Sequence, residues 1–407
     1  MKKFEIPEQY RSGIIAEVKL RRRLADPRKQ DFKPGILDFG NIRFILPRHF
    51  GFCYGVENAI ETSYRAIREN PGKRLFLLSE MIHNPAVNDD LLAKGIRFIM
   101  DTGGRQLIPW SDITADDVVI IPAFGTTVEI EEMLKAKSVG IKTYNTTCPF
   151  VEKVWKRSAE IGTKGFSIII HGKLHHEETR ATFSHAYQNA PSVIIRNMHE
   201  AEQLAEFMTD DPDVSKFQEL FGDKISAGFD VREDLLRIGV VNQTTMLATE
   251  TQAISDFFRQ KITDRFGENW RAYFADTRDT LCYATNDNQE STLNVLDSGA
   301  DLAIVVGGYN SSNTSQIASI LAKKIPTYYI ADDHEILSES EIRHFNYGAQ
   351  QVTTTSDWLP AERPVSVVIT SGASCPDTIF EAVLLRILEL TGTDKKIEEA
   401  VETLSIG

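Results

Sequence analysis

From residue 42 onward the chain repeats one pattern. A short run of β-branched or aromatic residues leads into a small polar turn, and apolar positions at helical spacing follow. The apolar runs are 44–46, 75–78, 118–121, 167–170, 238–241, 272–275, 302–306 and 365–369. They are continuous rather than alternating, as in strands covered on both faces. Their alternation with helices predicts an α/β class, with parallel sheets and right-handed crossovers.

The turns fall into three kinds. GFCYGVENAI, TTCPFVEKVW and TLCYATNDNQ each place a cysteine before a helical stretch. SEMIHNPAV, HGKLHHEETRAT and GGYNSSNTSQ carry His, Ser and Asn, while PAFGTTVEI, NQTTMLATE and TSGASCPDT carry small residues. In chain order there is one of each kind per set. This predicts three similar lobes at 42–147, 148–281 and 282–392. Segment 187–236, with its acidic run MTDDPD, reads as a surface insertion into the second lobe, and 393–407 as a peripheral tail. Residues 1–41 read as a charged, partly helical surface extension, in which Lys19-Leu20-Arg21-Arg22-Arg23 forms a solvated face.

Composition narrows the class. The chain has 407 residues, 42% apolar and 25% charged, enough for two or three globular domains. A net charge of −13 argues against a nucleic-acid partner, because phosphate neutralisation by Lys and Arg supplies most of that affinity. No apolar stretch reaches membrane-spanning length. The N-terminus lacks the apolar run of a secretory signal, and Glu5, Glu8 and Glu17 argue against a transit peptide. A cytoplasmic location is expected. Four cysteines without a C-x-x-C pair give no disulfide framework.

Cys53, Cys148 and Cys282 occupy equivalent turns, and a helix N-terminus favours thiolate over thiol. Pro149 after Cys148 is a favoured first helical residue. An isolated cysteine is better read as a small buried hydrophobe; Cys375, off the matching position, is read as a non-ligand. Three equivalent cysteines point to a metal centre. Zinc with a water in the fourth position is one possibility; an iron–sulfur cluster suits an all-thiolate set better. Three ligands to a [4Fe–4S] cluster leave one iron open to substrate.

His83, Asn84, His176, Glu178, Thr244, Thr245, Ser311, Ser312, Asn313 and Ser374 follow strand runs, where parallel sheets bind ligands. Helix N-termini with hydroxyl side chains make anion sites. N-capping alone explains any one of these residues, but their concentration argues for a ligand of diphosphate size. Neither G-x-x-x-x-G-K-[ST] nor G-x-G-x-x-G occurs, and His175-His176-Glu177-Glu178 is not H-E-x-x-H. Glu178 is the natural proton donor beside an open iron.

The motifs GFCYGVENAI, IHNPAV, TTCPFVEKV, HEETRAT, NQTT, CYATNDNQ, GYNSSNTSQ and SGASCPD together resemble the 4-hydroxy-3-methylbut-2-enyl diphosphate reductase (LytB) family over about residues 42–390. The resemblance implies a trefoil of three α/β lobes around a [4Fe–4S] cluster. It implies reductive dehydroxylation of an allylic diphosphate to isopentenyl and dimethylallyl diphosphate, with ferredoxin or flavodoxin as electron donor. It places Cys53, Cys148 and Cys282 as cluster ligands, and His83, His176, Ser311, Ser312, Asn313 and Ser374 as diphosphate ligands. Glu178 falls on the proton-delivery residue and Thr244 on the residue that orients the substrate hydroxyl. One departure is Phe124, in a turn where many members have histidine; Thr126 or Thr127 is the candidate to compensate. Phe124, the extension and the insertion resemble the longer plant and cyanobacterial branch. A quinolinate synthase-like or diphthamide-type enzyme would share three cysteines but not the Ser-Ser-Asn turn. A non-catalytic cluster sensor should carry a fourth ligand or an output domain.

Overall fold

The computed structural model describes residues 4–28, 30–275, 277, 280 and 282–406; the lobe boundary expected at residue 281 lies outside them. The strands in chain order are β1 (Gly35–Asp38), β2 (Ile42–Leu46), β3 (Leu75–Leu77), β4 (Ile96–Phe98), β5 (Val118–Ile120), β6 (Ser167–His171), β7 (Ser192–Ile195), β8 (Ile238–Asn242), β9 (Phe274–Ala275), β10 (Leu302–Val306), β11 (Thr327–Ile330), β12 (Glu341–Asn346), β13 (Gln351–Ser356), β14 (Val365–Ser371) and β15 (Ser405–Ile406). The chain divides into two compact units, one of Met1–Glu61, His83–Val87 and Tyr283–Gly407, the other of Thr62–Ile82 and Asn88–Cys282.

The first unit is built on a six-stranded sheet of order β11-β10-β14-β2-β1-β15. β11, β10, β14 and β2 run parallel, while β1 is antiparallel to both β2 and β15. One face packs Phe44, Ile304, Val306 and Val367 with Phe380 and Ile387. The other packs Ile45, Val305 and Val368 with Ile317 and Leu321. Burial on both faces explains why these runs do not alternate. The hairpin β12–β13 is a separate antiparallel pair.

The second unit holds two parallel sheets, β4-β3-β5 and β7-β6-β8-β9. The α/β class is therefore observed, with three main sheets among the described residues. Their membership departs from three consecutive segments at one point. β2, expected to open a lobe ending at 147, pairs in parallel with β14, Val365 opposite Ile42. β14 and β1 supply the two ladders of β2.

Three peripheral readings are corrected. The N-terminal segment belongs to the first unit's core: Ile15 and Val18 of the helix Gly13–Ala25 are fully buried, and β1 joins the sheet. Arg22, read as part of a solvated face, is 5% exposed and donates to the Lys33 carbonyl. The tail returns as β15 beside β1, with Ala400 and Val401 buried. Segment 187–236 contains β7, the fully buried edge strand paired with β6, and places Phe207, Phe217 and Phe221 in the core of its sheet. Its charges face outward around an apolar stripe at helical spacing.

Phe217→Ala should lower the stability of the folded chain by about 3 kcal/mol, the usual cost of emptying a buried phenylalanine site. Urea unfolding followed by far-UV circular dichroism checks this. An unchanged midpoint would mark the segment as a dispensable insertion.

Candidate functional site

In the first unit, β10 and β14 end side by side, so the turns after them are neighbours. Ser311 caps the helix Ser312–Leu321, accepting from the Thr314 N–H at 3.3 Å and the Thr314 hydroxyl at 2.8 Å. Capping thus accounts for the acceptor side of Ser311. The next two residues differ: Ser312 Oγ and Asn313 Nδ2 are buried without a hydrogen-bond partner. Asn313 is oriented from its other end, where Oδ1 accepts the Ala373 N–H at 2.9 Å. An unpaired buried polar atom costs free energy unless a ligand meets it. Both atoms stand at a helix N-terminus, where the first N–H groups have no intrahelical acceptor, a setting that suits an anion.

Ser374 and His83 join this cluster. Ser374 Oγ donates to the His83 carbonyl at 3.2 Å. Gly308 lies so close to the same carbonyl that an added Cβ would meet it at 2.6 Å, so only glycine fits there. Asn84 caps the helix Pro85–Ala93 by accepting the Val87 N–H. All five diphosphate residues expected in this unit are buried: His83, Ser311, Ser312, Asn313 and Ser374.

Cys53 starts the helix Tyr54–Glu69, its carbonyl accepting from the Glu57 N–H, and its own N–H donates to the Ala373 carbonyl at 3.3 Å. The cysteine turn is therefore tied to the turn that carries Ser374. The N-terminal segment buttresses it. Phe4 packs on Tyr54 with centroids 4.9 Å apart, and Tyr10 on Phe52 at 6.1 Å. Lys19 binds both oxygens of Asp377, at 2.7 and 3.0 Å. This ion pair lies against Gly51, whose φ of +77° and lack of a Cβ let the chain pass.

In the second unit, Cys148 is the N-cap of the helix Pro149–Gly162 and donates its N–H to the Ala123 carbonyl at 2.9 Å. Cys282 is buried, while Cys53 and Cys148 are partly exposed. His176 caps the helix Glu177–Tyr187: its Nδ1 accepts the Glu178 N–H at 3.2 Å. Nδ1 thus carries no proton, and the neutral ring holds its proton on Nε2. Glu178 is 1% exposed, and its Oε1 accepts the Thr244 N–H at 2.5 Å. The structure therefore brings His176, Glu178 and Thr244 together.

Phe124 sets its ring edge-on to His176 at 5.6 Å and 83°. The position supplies packing to the imidazole in place of a hydrogen bond. Thr127 is occupied as the N-cap of the helix Val128–Ala136, accepting the Ile130 N–H, and the Thr126 carbonyl is bound by His185 Nε2. Cys375 is fully buried in the apolar core, and burial pushes its thiol pKa far up.

Sequence reasoning missed the residues that brace the site. Gln243 Oε1 accepts from the Lys173 N–H at 3.1 Å and the Thr179 hydroxyl at 3.0 Å, while its Nε2 donates to Thr245 Oγ1 at 2.6 Å. Asn242, also buried, accepts from the Thr280 hydroxyl at 2.8 Å. Arg180 spans to the carbonyls of Thr102 and Gly103. The signal available was NQTT itself: two long amides where a buried strand ends.

The LytB protein model matches residues 44–388. Relatives named 4-hydroxy-3-methylbut-2-enyl diphosphate reductase include one from Gloeobacter violaceus, 36% identical over 87% of this chain and 84% of the relative. One from Crocosphaera subtropica is 37% identical over 86% of this chain and 85% of its own. One from Synechocystis is 34% identical over 96% and 98%. Two solved structures share the fold. An (E)-4-hydroxy-3-methyl-but-2-enyl diphosphate reductase superimposes with a TM-score of 0.52 at 23% identity, covering 85% of this chain and 99% of that one. The E-1-hydroxy-2-methyl-but-2-enyl-4-diphosphate reductase from Plasmodium falciparum gives 0.61 at 19%, covering 86% and 89%. The agreement of sequence and fold over this span establishes that the chain belongs to the LytB family of 4-hydroxy-3-methylbut-2-enyl diphosphate reductases.

Proposed function

We propose that this chain removes the hydroxyl of (E)-4-hydroxy-3-methylbut-2-enyl diphosphate reductively, giving isopentenyl and dimethylallyl diphosphate, the last step of the methylerythritol phosphate route. One observation carries the reading within the family: Ser312 Oγ and Asn313 Nδ2, two buried polar atoms without partners, stand ready at a helix N-terminus for a phosphate group. His83, Ser311, Ser374 and the Nε2–H of His176 complete the proposed diphosphate set.

Cys53, Cys148 and Cys282 are the proposed ligands of a [4Fe–4S] cluster with one open iron. The donor set fits such a group: all three are thiols, and each stands immediately before a helix (Tyr54–Glu69, Pro149–Gly162 and Tyr283–Leu293), where the local field favours thiolate. When bound, the cluster supplies electrons, and its open iron a Lewis acid for the departing oxygen. Two electrons and two protons convert the alcohol to an alkene and water. Glu178 delivers the proton that lets the hydroxyl leave as water. Its carboxyl is held by the Thr244 N–H, so the delivering oxygen is fixed before substrate arrives. Thr244 orients the substrate hydroxyl toward this acid. The second proton adds at either end of the allylic system, which yields two products. Binding at the diphosphate, remote from the reacting carbon, fixes that carbon in place. Ferredoxin or flavodoxin is the proposed electron donor and the cytoplasm the proposed location. No helix among the described residues is long and apolar enough to cross a membrane.

Glu178→Gln should lower turnover at least about 100-fold, the scale of a lost general acid, with the visible cluster absorption unchanged. Near-normal turnover would refute the proton route. Asn313→Asp keeps the acceptor for the Ala373 N–H and replaces the amide donor by a carboxylate. KM for the diphosphate should rise about tenfold or more, as for a lost hydrogen bond to a charged group. An unchanged KM would remove Asn313 from the diphosphate set.

A further inference from the structure

We propose that Asn242 and Thr280 are positioning residues for Cys282, so that the turn holding the acid Glu178 also sets the third cysteine. The inference rests on Cys282 being a cluster ligand. β9 pairs with β8 through Phe274 and Ala275. Nearer the cysteine, the Thr280 hydroxyl donates to Asn242 Oδ1 at 2.8 Å, two residues before Cys282. Thr280 is 4% exposed and Asn242 fully buried. Asn242 is itself fixed, because its Nδ2 donates to the Gln243 carbonyl at 2.9 Å.

The same turn reaches the acid by two routes. The Thr244 N–H holds the Glu178 carboxyl, and Gln243 Oε1 accepts from Thr179, the next residue on that helix. Cys53 and Cys148 are each anchored by their own N–H to a neighbouring turn. A buried asparagine at the end of an apolar strand is costly unless both ends of its amide are paired. Here both are, one within the turn and one across to the cysteine segment.

The test uses the full chain, purified without oxygen and reconstituted with iron and sulfide, as wild type, Thr280→Val, Thr280→Ala, Thr280→Ser and Cys282→Ser. Two quantities are followed besides turnover: the rate of iron loss to a ferrous chelator, and the alkylation rate of Cys282 relative to Cys148 in the iron-free chain, mapped by mass spectrometry. Thr280→Val keeps the shape and removes the donor. It should speed iron loss and raise the relative alkylation of Cys282 about fivefold, the weight of one buried hydrogen bond. Thr280→Ser should restore both values, a rescue that general loosening does not give. If valine prevents folding, the smaller Thr280→Ala carries the same expectation. Valine or alanine variants that match wild type in both rates, while Cys282→Ser fails to hold the cluster, overturn the inference. A Cys282→Ser chain that keeps its full iron and turnover overturns instead the reading of Cys282 on which it rests.

Discussion

The site depends on one constraint: a polar side chain buried at the end of a strand must find a partner. At the end of β8, in the second unit, these needs are met internally. Asn242, the last residue of β8, and Gln243 and Thr244 after it bond to Thr280, Lys173, Thr179, Thr245 and Glu178. The result is a preset acid beside a histidine whose tautomer is fixed by its own cap. In the first unit the needs are met only in part. Ser311 and Ser374 are engaged with the protein, while Ser312 Oγ and Asn313 Nδ2 are not. The satisfied set is suited to orienting chemistry, and the unsatisfied pair to taking an anion from solution.

The chain ends, which lie outside the span of the family model, have a structural task. Phe4 and Tyr10 cover the two residues that flank Cys53, and Lys19 closes on Asp377 beside Gly51. β1 and β15 extend the same sheet. The cysteine turn is itself tied to the residue before Ser374, through the Cys53 N–H and the Ala373 carbonyl.

Much of this was legible in the sequence. The continuous apolar runs gave eight of the strands, because a strand covered on both faces leaves no alternation to misread. Small residues at strand exits marked the turns that bear His83, Glu178, Ser312 and Ser374. What was not legible is pairing at long range. Nothing local tells β2 to seek β14, nor the tail to return beside β1. The segment 187–236 misled through its charge, since Asp210, Asp211 and Asp213 dominate its composition while Phe217 and Phe221 carry its packing. The bond between Asn242 and Thr280 joins residues with no shared motif, and only the fold reveals it.

The most direct test is the metal content of the native protein: iron, zinc and acid-labile sulfide per chain after purification without oxygen, with the Mössbauer spectrum. About four irons and four sulfides, with one iron distinct from the other three, is the result a [4Fe–4S] centre on three cysteines requires. A colourless chain holding zinc, or a cluster whose irons are all equivalent, would contradict it.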